Sequence, residues 1–547
     1  MTILRSILKA IGGLKQNPSV RRFIQHNRRV FPAASRAASK RSVVLMEMNA
    51  MQSAHIAYSY LANVLAEDSQ AGIQAYVPRA HANLREKLKF HLRTLLGLNE
   101  ADIYKSFGTA AVFGMSPTSA QKLRAAALFE ESRTSLRTLL DLEGLTVHGV
   151  WIGDLIYDSY LMGHLKPTVD LTSPDFLNFL RTSLELFICW EDYFDAHDVQ
   201  AVNVSHCVYN LAMPLRIAVQ RGIPAFQVNA THAYRLSPVR LFAYNEFFDY
   251  RHHFSTLPAE TQAVGLAEAD TRIRRRFSGE VGVDMAYSTK SAYGEARHGR
   301  LLRESPRKKI LIATHCFFDS PHSYGNNIFP DFYEWLDFLG QTSEETDYDW
   351  YIKTHPDFLP GTKEVIDGFV ARYPKFTLLP SDASHHQLIA EGIDVALTVY
   401  GTIAFEYAAL GVPVINASQN NPHIAYDFNL HPKDVEDYRR MLLNLDSLDL
   451  KIDRDEVLEY YYMRHIHDTG NLFFDSYQKT MKSLGGYDAQ FSPLVYDRWL
   501  DEWTREKHET ILAELREFVL SGNFRMGYVD PAEKPVSRVH APIPTAA

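Results

Sequence analysis

Two short stretches carry residue types whose spacing suits binding chemistry. In "VYGTIAFEYAALGVPVI" (residues 399–415) an apolar run of strand type meets Gly401, which permits a tight turn. Thr402 is placed to cap the helix that follows. The free N–H groups of such a helix start attract an anionic oxygen through donors and dipole together. Glu406 stands four residues beyond Thr402, on the same face and roughly 6 Å further along the axis. Its carboxylate can accept from two vicinal hydroxyls, as a ribose attached to a held phosphate would present them. The plainer alternative is that Glu406 favours an early helical position with its head in solvent. Ala404, Ala408 and Ala409 point to close packing instead, where a carboxylate needs a partner. In "YIKTHPDF", Lys353, His355 and Pro356 fall at the carboxyl end of a strand. Pro356 ends the ladder, and the alternation of strand side chains puts Lys353 and His355 on one face. A cation and an imidazole there can neutralise a phosphate leaving group. The alternative is a histidine satisfied near a turn.

These groups need a scaffold, and the pattern along the chain supplies one. The 547 residues exceed what one core usually serves, so two or more domains are expected. Residues 42–257 alternate strand and helix patterns, as do 309–450, and strands alternating with helices imply mostly parallel, doubly wound sheets. Ser53 is placed to cap the first long helix of the earlier unit. A charged, turn-rich stretch at 258–308 reads as the junction. Residues 451–520 read as helices and 521–547 as a disordered tail. The expected architecture is α/β, with two tandem Rossmann-like domains and a helical C-terminus, and the cleft between them is the default site.

Residues 1–41 hold ten lysines and arginines and no acid, although the whole chain carries a net charge of −8. Ile3, Leu4, Ile7, Leu8, Ile11 and Leu14 recur there at helical spacing. The segment can lie on an anionic membrane surface, or pack on the protein's own core and continue as a basic strap. The acidic remainder would repel nucleic acid, which is excluded as a partner. The three scattered cysteines fit a reducing compartment. No apolar run reaches the roughly 20 residues of a membrane span. The expected location is cytoplasmic, with peripheral contact at the inner membrane face if residues 1–41 dock there.

Lys353, His355, Pro356, Gly401, Thr402, Glu406, Gly411 and Pro413 together resemble the donor-binding domain of GT-B glycosyltransferases. The resemblance is to those of bacterial capsule and surface-polysaccharide synthesis, including the Kdo- and sialyl-type transferases that use CMP-sugars. It covers roughly residues 309–418. The teichoic-acid glycerophosphotransferases, with a CDP-activated donor, share much the same elements. The resemblance implies a nucleotide-sugar donor, a CMP-ulosonic acid favoured, and a surface glycan acceptor, lipid-linked if the N-terminus docks on a membrane. A non-catalytic GT-B-like component of a polysaccharide assembly complex is a further alternative, weakened by the intact Glu406 and His355.

Inverting transfer requires a group across the cleft that takes the acceptor's proton. In "GVWIGDLIYDSYL", Asp154 begins a helix at a strand end and Asp158 follows one turn later, so the two could divide that work. Capping by Asp154 alone is also physically sufficient. His232 is an alternative base, and Arg235 could clamp a sugar carboxylate bidentately. Glu47 and Asn49, with His55, surround the first strand end and would face the acceptor. His315, with Ser320, His322 and Asn326, ends the first strand of the second unit and could reach the donor, as could His385. Each has a plain reading as a loop hydrogen-bonding group. Asp347-Tyr348-Asp349 precedes its strand, where a sugar-nucleotide metal motif would follow one. No metal and no cofactor are expected.

Overall fold

The computed structural model describes residues 17–31, 39–78, 84–97, 99–285, 290–295, 298–354, 360–448, 450–467, 472–528 and 530. The first sheet is built from β1 (Ser39–Glu47), β2 (Ala71–Tyr76) and β3 (Thr109–Phe113). A two-residue hairpin, β4 (Thr146–Val147) and β5 (Val150–Trp151), stands apart from it. Then β6 (Asp198–Val204), β7 (Ala225–Val228) and β8 (Ala233–Leu236) complete the order β3-β2-β1-β6-β7-β8. All pairings are parallel except β7 with β8. The second sheet holds β9 (Lys309–Ala313), β10 (Asp349–Lys353), β11 (Phe376–Leu378), β12 (Val395–Thr398) and β13 (Val414–Asn416). Its order is β11-β10-β9-β12-β13, all parallel. Two doubly wound sheets of Rossmann type in tandem, with C-terminal helices, constitute the GT-B layout.

The connection is more interwoven than the sequence pattern shows. Helices Leu494–Glu502 and Arg505–Ser521 return to the first unit. There Trp499, Ile511, Leu515 and Phe518 share a core with Val44, Ile56 and Phe226. The stretch expected to form a junction contains a 19-residue helix, Ala259–Phe277. Its Ala269 and Ile273 pack with Tyr461 and Phe405. Ser53 lies inside its helix, buried, and Met51 holds the cap position without a side-chain bond. Part of the expected disordered tail instead lies along β8. Arg235 N–H donates to Phe524 O at 2.8 Å, Met526 N–H donates to Ala233 O at 3.0 Å, and Phe524 and Arg525 are buried. An apolar edge strand gains backbone partners this way, which outweighs the weak periodicity of the segment.

Of the basic N-terminal segment, the described helix Pro18–Val30 packs on the protein. Asn17 caps it, Phe23 stacks on Tyr496 with ring centroids 4.2 Å apart, and Arg22 pairs with Asp497. Residues 1–16 lie outside the described residues. No helix among the described residues is long and apolar enough to cross a membrane.

Candidate functional site

The carboxyl edge of the second sheet opens into a cavity of about 510 Å³, within the range of small-ligand sites. Lys353, His315, His385, Gly401, Thr402 and Glu406 all line it. His355 and Pro356 lie outside the described residues. β10 delivers Lys353, whose ammonium donates to Ser381 O at 3.1 Å. Burial pulls its pKa down to about 8, against the opposing pull of Glu406 and Asp382. His385 opens the helix His385–Ala390, its Nδ1 2.8 Å from Tyr407 Oη. Burial, then the Lys353 charge, holds that imidazole neutral, well below its ordinary pKa. His315 stacks on Phe332 at 4.6 Å, and its Nε2 accepts from Val399 N–H at 3.2 Å, beside Thr398 Oγ1 at 3.0 Å.

The turn after β12 is tighter than an N-cap. Thr402 adopts helical torsions (φ −61°, ψ −22°) and its side chain caps nothing. The structure corrects the expectation: Thr398 Oγ1 accepts from Gly401 N–H at 3.1 Å instead, and the Thr402 side chain is left to line the cavity. A Cβ on Gly401 would stand 2.8 Å from Thr398 Oγ1, so glycine serves here for close approach.

Glu406 does have a partner, and it comes from the chain itself. Arg276, from the end of helix Ala259–Phe277, binds one carboxylate oxygen through both Nε (2.8 Å) and Nη2, and Tyr293 Oη donates to the other at 2.8 Å. Arg276 and Tyr293 line the same cavity, and sequence reasoning missed both. The only signal was indirect: a carboxylate in an alanine-rich helix calls for a cation, and Arg274-Arg275-Arg276 stands in the stretch read as a junction.

The residues expected to act across the cleft are placed otherwise. Asp154 follows Gly153, where a Cβ would stand 2.0 Å from Leu142 O. That forced packing turns Asp154 inward, where it is buried and paired with buried Arg216. The strand preceding it belongs to the small hairpin, not to the parallel sheet, so Asp154 reaches no sheet edge. Asp158 is buried too. It sits 2.6 Å from His322 Nδ1, while Glu143 stands 3.3 Å from the other ring nitrogen. Burial raises Asp158 to about 6. Burial opposes charge on His322 as well, but the facing carboxylates outweigh it and hold the imidazole well above its ordinary pKa. This cluster clamps the two units together, as does Tyr157 donating to Asp331 at 2.6 Å.

His232 lines a separate cavity of about 400 Å³ beside Arg525 and Tyr528, and burial followed by Arg525 lowers its pKa to about 3. Arg235 lines neither of these cavities and donates to Val519 O at 3.0 Å, at the end of the last helix. An arginine is favoured at a helix C-terminus. Glu47 is buried and takes Ser205 N–H and Oγ–H at 2.5 and 2.6 Å, a bridge between the ends of β1 and β6. Asn49 closes a turn, accepting from Met51 N–H at 3.0 Å.

Three carboxylates line the main cavity: Glu280, Asp319 and Glu406. Arg275 engages Glu280 and Arg276 engages Glu406, whereas Asp319 is exposed and meets Tyr209 Oη of the first unit. Asp319 is a cavity acid that sequence reasoning passed over, two residues beyond Phe317 in a loop with no periodic signal.

No protein-family model matches the chain, and no curated protein matches it. Solved structures align over much of its length at very low similarity. UDP-GlcNAc 2-epimerase from Neisseria meningitidis, bound to UDP-GlcNAc, is 9% identical, with 84% of this chain and 100% of that chain covered and a TM-score of 0.21. The UDP-GlcNAc 2-epimerase of Methanocaldococcus jannaschii, in complex with UDP-GlcNAc and UDP, is 11% identical over 76% and 97%, with a TM-score of 0.23. A glycosyltransferase from Rickettsia africae ESF-5 is 9% identical over 85% and 100%, with a TM-score of 0.22. Likenesses this slight carry no argument about activity.

Proposed function

We propose that the chain is an inverting GT-B glycosyltransferase that moves a sugar from a nucleotide-activated donor to a glycan acceptor. The observation that carries this reading is the cavity at the carboxyl edge of the second sheet. There a buried cation (Lys353), two imidazoles (His315, His385) and the Arg276–Glu406–Tyr293 cluster surround a volume fit for a small ligand. Lys353 and the backbone at Gly401-Thr402 take the phosphate, and Glu406, with Arg276 fixing its orientation, faces the ribose. Asp319 takes the acceptor hydroxyl proton. The acceptor oxygen bonds to the anomeric carbon as that carbon's bond to the phosphate oxygen breaks, and the departing nucleotide carries its charge to Lys353. The finer proposal, from the sequence resemblance, is a CMP-activated ulosonic acid as donor and a capsular or surface glycan as acceptor.

Calorimetric titration with CMP, CDP, UDP and GDP tests the reading. Binding of one nucleotide, weakened in Glu406→Ala, is the expected result. CMP as the tightest ligand supports the ulosonic donor, and CDP as the tightest favours glycerophosphate transfer. Binding of none overturns the donor site.

A further inference from the structure

The helix Leu84–Leu96, on the connection from β2 to β3, buries none of its residues, although Phe90, Thr94 and Leu96 are half-buried. Leu84, Leu88, Leu92 and Leu95 are 70%, 59%, 56% and 78% exposed. Their spacing of four, four and three puts them on one face. Arg85, Lys87 and Lys89 flank them, and the helix's one acid, Glu86, lies on the opposite face. Four leucines held in water are unfavourable for a monomer unless something covers them. A helix of 13 residues is too short to span a bilayer, which needs about 20 residues. It is long enough to lie in an interface, leucines toward the acyl chains and cations at the headgroups.

We propose that this helix docks the protein on an anionic lipid surface. Charge decides the occupant. A second copy of the chain, stripe against stripe, would bring three cations against three, whereas anionic headgroups neutralise them. The inference stands independently of sugar transfer. It places the membrane contact on the first unit, at a helix distinct from the basic N-terminal segment, whose described part is packed on the protein's own core.

The test is flotation of the full chain with phosphatidylglycerol–phosphatidylcholine vesicles and with phosphatidylcholine vesicles alone. The wild type is expected to float with the anionic vesicles and to be released by salt. Leu88→Gln combined with Leu92→Gln and Leu95→Gln should weaken flotation by about tenfold or more, with melting temperature unchanged because these side chains touch no core. Lys87→Gln with Lys89→Gln should weaken it on anionic vesicles by about tenfold. The proposal is overturned if the wild type does not float, or if it floats equally on neutral vesicles. It is overturned equally if the leucine variant floats as the wild type does, which would assign binding to another segment. Loss of a solution dimer in the leucine variant with no change in flotation would assign the stripe to self-association instead.

Discussion

The carboxyl edges of the two sheets are built from the same kinds of residue and end in opposite states. At the first sheet, Glu47 is closed between β1 and β6 by Ser205, and elsewhere in the same unit, away from that edge, Asp154 and Asp158 are locked in buried pairs with Arg216 and His322. At the second, Lys353, Thr402, Glu406 and Asp319 face a common cavity. A charged residue at a strand end is therefore not by itself a reactive one. What differs is whether the group borders open space: Glu406 is paired with Arg276 much as Asp154 is with Arg216, yet it keeps its place on the cavity wall. The first unit has spent its charges on holding itself together and on clasping the second, and the second keeps its own at the cavity wall.

The comparison breaks most decisively through the acids. Asp319→Asn should lower turnover by about 10²–10⁴-fold while nucleotide affinity, read by calorimetry, stays unchanged. A variant Asp154→Asn that loses turnover while keeping wild-type stability would reverse the assignment of the two units.

Stability should respond in the opposite sense. Asp154→Ala strands the Arg216 guanidinium in the interior, and breaking a buried pair from one side costs about 3–5 kcal/mol. A lowered urea midpoint with unchanged slope is the expected reading. If the midpoint does not move, the Arg216 pair does not hold the first unit and the contrast between the units fails.

Two glycines give a smaller contrast. A methyl at Gly401 would stand 2.8 Å from Thr398 Oγ1 and 3.5 Å from His315 Cε1, whereas one at Gly163 meets nothing within 4 Å. Gly401→Ala should destabilise by about 1–3 kcal/mol and weaken nucleotide binding. Gly163→Ala, within helix Gly153–His164, should stabilise by about 0.5–1 kcal/mol. Thermal melts of both variants, with nucleotide titration of the first, check the pair.

Much of this architecture was legible because it is local. Apolar runs bounded by turns marked all five strands of the second sheet. The residues around the cavity were legible in part for the same reason, since one strand end places Lys353 and one strand–turn–helix unit places Gly401, Thr402 and Glu406. Arg276 reaches Glu406 across 130 positions, and His322 reaches Asp158 across 164. No periodicity encodes such pairs. The short β3 carries an apolar run of only four residues, Ala110–Phe113, too short to separate strand from helix by periodicity. Residues 523–528 gave no signal because their order comes from the edge of β8 and not from their own pattern.

The pH dependence of Lys353 isolates the open edge. Burial holds Lys353 at about pH 8, below its ordinary 10.5. In the folded, empty site the ammonium is charged below pH 8 and neutral above it, while the unfolded chain keeps its proton until about 10.5. Between those values the unfolded state binds more protons, so this lysine makes stability rise with pH across that window. A bound phosphate reverses the preference by stabilising the ammonium. Nucleotide affinity should therefore be constant below pH 8 and fall above it, by about tenfold per pH unit at most, until the complex itself loses the proton. Lys353→Met should bind more weakly at pH 7, by roughly tenfold or more for the loss of a charge-assisted bond, and show no decline between pH 8 and 9.5. A wild-type profile that stays flat over that interval would remove Lys353 from the phosphate and leave the second edge as closed, in its chemistry, as the first.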